Sequence, residues 1–102
     1  MPSEQNFVVE MQLQPVPPDA YQELGRAEML YTQAQMEAGK LTQLLVTNDH
    51  RRYWLVFAVT DETELKTILE GFPLHAFFEY SYHAVADMVA ASKAGLTDPN
   101  LD

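Results

Sequence analysis

A carboxylate, a histidine and two adjacent arginines are the groups here whose types and spacing could do chemistry. Glu28 falls four residues after Leu24 and three before Tyr31, which on a helix places it at the margin of an apolar stripe. A carboxyl group partly withdrawn from water there gains proton affinity and suits a proton shuttle. His50 leads straight into Arg51 and Arg52 within the polar connector NDHRR. An imidazole titrates near neutral pH and can give or take a proton. A guanidinium near a pocket mouth can grip a carboxylate through two parallel hydrogen bonds. Five of the eleven aromatics lie between Phe72 and Tyr82. With Trp54, the side chains of Phe78, Tyr80 and Tyr82 could line a cleft, and His75 sits beside them. Taken singly, each residue also fits a plain structural place: Glu28 at a solvated stripe edge, the arginines at a charged hairpin tip, the rings in a core.

Other chemistries find no support. The chain has no cysteine, so it has no disulfide, thiolate metal site or cysteine nucleophile. Histidines 50, 75 and 83 lack metal-ligand spacing, and no metal site is expected. Neither a glycine-rich phosphate loop nor a serine-hydrolase elbow occurs. Fifteen acids against six bases give a net charge of −9, which argues against a nucleic-acid partner. The N-terminal MPSEQNFVVEM has no basic region before an apolar run, and no window approaches the ~20 apolar residues a membrane crossing needs. A cytoplasmic protein without membrane attachment is expected.

The elements that must position these groups follow from periodicity. NFVVEMQL, residues 6–13, alternates as a half-buried strand. QPVPPD breaks it. Asp19 is expected to cap a long helix running to about Ala38, with Ala20, Leu24, Ala27, Tyr31, Ala34 and Ala38 as its apolar stripe and Gly39 as its left-handed stop. Gly25 inside that helix suggests a close backbone contact. LTQLLVT (41–47) and YWLVFAV (53–59) read as strands joined by the polar connector. Asp61 and Glu64 match a capping box for a short helix that Gly71 closes. After Pro73, residues 76–85 read as a fourth strand, and the tail has room for one or two helical turns.

This order is β-α-β-β-α-β, the split pattern of an α+β, ferredoxin-like sandwich with a four-stranded antiparallel sheet. A single domain of 102 residues is expected, with its core over about 6–86 and a tail over 87–102. Two helices cover one sheet face. Strands three and four put large apolar groups toward the other, so a second subunit is expected against it.

Three stretches resemble the muconolactone isomerase family: RAEMLYTQAQMEAGKLTQLL, RRYWLVFAVTDETELKTIL and FPLHAFFEYSYHAV. The likeness spans roughly residues 7–86. It implies a dimeric α/β barrel, as a homodimer or larger homo-oligomer, and a small-molecule ligand. It also implies cofactor-free isomerisation, in which a proton shifts within a small unsaturated lactone or enolisable carboxylic acid. On the matching positions, Glu28 would shuttle the proton and His50 would assist catalysis. From their own types and places rather than from the resemblance, Arg51, Arg52, Trp54, His75, Phe78 and Tyr80 are expected to bind substrate. The sequence departs from the family at Leu44-Leu45-Val46, where a Leu-Trp-Arg strand is usual, and at Phe57-Ala58-Val59, which lacks an acid. Two other readings stand beside the isomerase: a non-catalytic ligand-binding or oligomerisation domain, and a cofactor-independent monooxygenase-type barrel enzyme.

Overall fold

A computed structural model describes residues 4–86 and 88–93. Strand β1 (Gln5–Leu13) is followed by helix α1 (Pro18–Glu37), strands β2 (Leu41–Val46) and β3 (Arg52–Val59), helix α2 (Glu62–Glu70), strand β4 (Phe78–Val85) and a short α3 (Met88–Lys93). The four antiparallel strands are ordered β2-β3-β1-β4. This is the expected α+β, ferredoxin-like sandwich. Residues 94–102 of the tail lie outside the described part.

Alternation along the strands sets the two faces. Phe7, Val9 and Met11 of β1 stand opposite Phe57, Leu55 and Tyr53 of β3, and this side is buried under the helices. Leu65, Ile68 and Leu69 of α2 complete the core, with Phe72 beyond the helix end. Burying Leu65 and Leu69 contributes about 1.5–3 kcal/mol each. The Tyr82 hydroxyl ties β4 to α2 by donating to Glu62 at 2.6 Å, which pushes the phenol up to about 12.

Both helix ends follow local chemistry. The Asp61 side chain accepts the Glu64 amide at 2.9 Å, as the capping pattern predicts, while Glu64 reaches back to the Thr60 amide at 2.8 Å. Gly39 has φ +76°, and its amide and that of Lys40 bond the Met36 and Gln35 carbonyls, closing α1 with a left-handed stop. The start of α1 differs from expectation. Its cap is Pro17, Pro18 opens the first turn, and Asp19 lies inside that turn without a capping bond. Proline suits this position because its missing N–H would have no helical partner.

Three further details differ from the sequence reading. The inward side of α1 carries Leu24, Glu28, Tyr31 and Gln35, while Ala27, Ala34 and Ala38 are exposed, and no residue of α1 is fully buried. Residues 75–77 form a 3-10 turn before β4, because the His75 and Phe77 amides bond the Phe72 and Leu74 carbonyls. Finally, β4 turns Glu79, Ser81 and His83 to the open face with only Val85 as an apolar group, so most apolar groups there come from Val8, Leu45, Trp54 and Val56 of the other three strands.

Candidate active site

One helical stripe of α1 faces a cleft. Tyr21, Gly25, Glu28 and Thr32 recur at the spacing of a single face, displaced by one residue from the alanine stripe, and all four line the cavity. The cavity measures about 470 Å³. Its floor is Met11, Leu13, Tyr53, Leu55 and Phe78 from the covered face of the sheet, with Leu44 from β2. Phe72 and Leu74 enter from the turn after α2, and Asp49, His50 and Arg51 come from the β2–β3 connector. Gly25 makes no tight backbone contact: an added Cβ would meet only the Tyr21 ring, at 3.5 Å. Its lack of a side chain leaves room in the cavity wall.

Glu28 is half-buried at this cavity. The Leu74 amide donates to its Oε1 at 2.9 Å. Burial raises its carboxyl pKa above the usual value, and the Leu74 bond opposes part of that rise. Removing a carboxylate from water costs most in the charged form, so the proton is held more tightly. Tyr31 and Tyr53 register the same charge. Burial raises both phenols first; Glu28 adds to the rise in each, and Tyr21 also does so in Tyr53. No second hydrogen bond to the Glu28 carboxylate forms among the described residues, which leaves Oε2 free for a guest.

The connector is built to hold its residues still. Asp49 Oδ1 accepts the Thr47 hydroxyl at 2.6 Å and the Arg51 amide at 3.1 Å, which together hold its carboxyl below the usual range. His50 adopts φ +61°, a left-handed conformation that a side chain adopts at a cost. The Tyr53 hydroxyl donates to the His50 carbonyl at 3.0 Å and braces that turn. Imidazole and guanidinium are thus presented on a defined loop beside an apolar cavity.

Of the residues singled out from sequence, the cleft gathers Glu28, His50, Arg51 and Phe78. Arg52 points to the open face, where its Nη1 pairs with Glu10 at 3.1 Å. Trp54 lies across from Glu10 on that same face. His75 packs near Tyr80, ring centroids 6.0 Å apart, and neither lines the cavity. Tyr53, Thr32 and the Leu74 amide were not singled out. The alternation of β3 could have flagged Tyr53, since it places Tyr53 opposite Trp54 in facing. No pattern marks a backbone amide 46 residues away as a partner for Glu28. Among the described residues, no cluster of three or more His, Asp or Glu could hold a metal ion, and no helix is long and apolar enough to cross a membrane.

Element order and strand order put the chain in the class of small ferredoxin-like α+β proteins. Within it, the profile of muconolactone delta-isomerase matches residues 6–90, and the chain belongs to that family. The crystal structure of a muconolactone isomerase superposes with a TM-score of 0.71 at 22% identity, covering 80% of this chain and 88% of that one. A cofactor-independent oxygenase, SnoaB from Streptomyces nogalater, aligns with a TM-score of 0.47 at 17% identity over 83% and 93% of the two chains. No curated protein sequence matches the chain significantly.

Proposed function

We propose that this protein is a cofactor-free isomerase that moves a proton between carbons of an unsaturated lactone or enolisable organic acid bound in the Glu28 cleft. The observation that carries this reading is a half-buried carboxylate that lines a largely apolar cavity, with one oxygen fixed by a backbone amide. Family membership and the superposition with a muconolactone isomerase support it. Ionised Glu28 takes the proton from a carbon next to the carbonyl. That C–H electron pair flows into the conjugated system and places the charge on the carbonyl oxygen. The carboxylic acid so formed returns the proton one allylic position away, and the double bond has moved without net oxidation. Arg51 supplies positive charge for the substrate carboxylate, and the His50 imidazole can hydrogen-bond the developing enolate. Arg52, Trp54, His75 and Tyr80 lie outside the cleft of one chain, and a direct contact from them to substrate would require a second copy.

The cavity is roomier than a single small lactone ring needs, and its wall is largely aliphatic and aromatic. Such a wall favours an acid with an apolar body and one anionic end. The test is proton NMR in deuterated water with muconolactone and a panel of unsaturated lactones bearing longer apolar groups. Solvent deuterium should enter a substrate in the presence of the protein. Glu28→Gln should slow that exchange by about 10²–10⁴-fold, the usual share of a general acid–base group. Saturable binding with no exchange for any member would make the cleft a binding site only.

The open sheet face supports the expected homodimer. Val8, Leu45, Trp54 and Val56 form an apolar strip across three strands, crossed by the Glu10–Arg52 pair. Packing of two such strips would hide apolar surface that a lone subunit leaves in water. Sedimentation equilibrium should give twice the chain mass or a multiple of it, and Trp54→Glu should shift the population toward single chains. A wild-type chain that sediments alone at micromolar concentration would rule the dimer out.

A further inference from the structure

Helix α1 has no fully buried side chain, yet it carries the one carboxylate whose position matters most. Something other than core burial must set its distance from the turn after α2. Two hydrogen bonds one helical turn apart join α1 to the end of α2 and to that turn. The Tyr31 hydroxyl donates to the Ile68 carbonyl at 2.6 Å, and the Leu74 amide donates to Glu28 at 2.9 Å. The Tyr31 ring also meets Phe72 edge-on at 4.8 Å. Gly71 explains how the ring gets so near. An added Cβ there would overlap the Tyr31 hydroxyl and lie 2.9 Å from its Cζ. Gly71 itself has φ −82°, an ordinary right-handed value that any residue adopts, so conformational freedom does not require a glycine here. Close approach does.

We propose that Tyr31, seated on Gly71, is a positioning residue that holds Glu28 in register with the Leu74 amide. Its catalytic consequence rests on the isomerase reading; the clamp itself does not. Ile68, Phe72 and Leu74 are all buried, so the anchor belongs to the packed core. When the anchor bond is lost, this part of α1 moves outward, water reaches the carboxylate, and the amide bond to Glu28 loosens. Burial outweighs the amide in setting the Glu28 proton affinity. The net effect of release is therefore a fall toward an ordinary glutamate.

The test needs no substrate. In Tyr31→Phe the ring keeps its place against Phe72 and only the hydroxyl bond goes. The Glu28 side-chain carboxyl is followed by carbon NMR across pH, and the Leu74 amide by its pH-dependent shift and hydrogen exchange. Tyr31→Phe should lower the Glu28 midpoint, weaken the response of the Leu74 amide to that titration, and remove part of its exchange protection. Gly71→Ala should give the same three changes by pushing the ring away. A variant with lower melting temperature but unchanged Glu28 midpoint and Leu74 amide would overturn the clamp, leaving Tyr31 a merely structural residue. The two readings fail separately. Altered NMR signals in a protein that exchanges no substrate would retain the clamp and remove the isomerase. Wild-type exchange, with unaltered signals in both variants, would do the reverse.

Discussion

Helix α2 gives the core three buried side chains from nine residues, whereas the twenty residues of α1 give none. Both lie on the same face of one sheet. Leu65, Ile68 and Leu69 sit at the spacing of a single helical face and close over Phe57, Val9 and Val59. The inward stripe of α1 is instead spent on a glycine, a carboxylate and a hydroxyl over open space. It is held by polar contacts to its neighbour and by its own glycine-closed end. The lesson is a division of labour: apolar burial under α2 carries stability, and the less buried α1 leaves the cavity that chemistry needs.

The sharpest way to break this comparison is to truncate one leucine on each helix. Leu65→Ala should cost about 2–5 kcal/mol, as large-to-small changes in a closed core do. Leu24→Ala, on the half-exposed inward side of α1, should cost well under half of that. Urea denaturation of both variants measures the ratio, and equal losses would show that α1 is as deeply packed as α2.

A smaller effect sharpens the same contrast through pH. The folded state raises the proton affinity of Glu28 above its ordinary value of 4.5. Stability owed to the bound proton is fully present below that value. It is lost as pH rises through the raised folded value, because the folded state then gives up a proton the unfolded chain has already lost. Compared with Glu28→Gln, the wild type should lose relative stability across that window and level off above it. Thermal melts of both proteins from acid to neutral pH would show the trend. A flat difference would mean the carboxylate is hydrated and the cleft open.

Much of the architecture was legible because it rests on local rules. Alternation marked β1, the Asp61–Glu64 pair marked the start of α2, and Gly39 marked the end of α1. The misread parts depend on contacts distant in sequence. An alanine-rich helix carries two stripes one residue apart; Leu24 and Tyr31 of the one and Gly25, Glu28 and Thr32 of the other share the inward side, and only the cavity beneath α1 decides that mixture. Gly71 resembled a conformational stop, but its need is the Tyr31 ring 40 residues earlier. For the candidate site, residue types pointed to Glu28, His50, Arg51 and Phe78 together with four residues that β3, β4 and the turn before β4 direct elsewhere. Aromatic content alone cannot tell the two faces of a strand apart. Register can, as it does for Trp54 and Tyr53.

Strand β2 holds a last consequence. A register shift between Leu41 and Gln43 slips in one unpaired residue, after which Leu44 stands opposite Leu55 and Leu45 opposite Trp54. Were Thr42 paired instead, regular pairing from Leu41 would set Gln43 against Leu55, and Leu44 would leave the cavity. A one-residue realignment of this short segment would thus re-line the pocket and the outer sheet surface together, with no substitution at either. An alignment that counts positions forward from Gly39 without allowing for the slip would assign the wrong side chains to both.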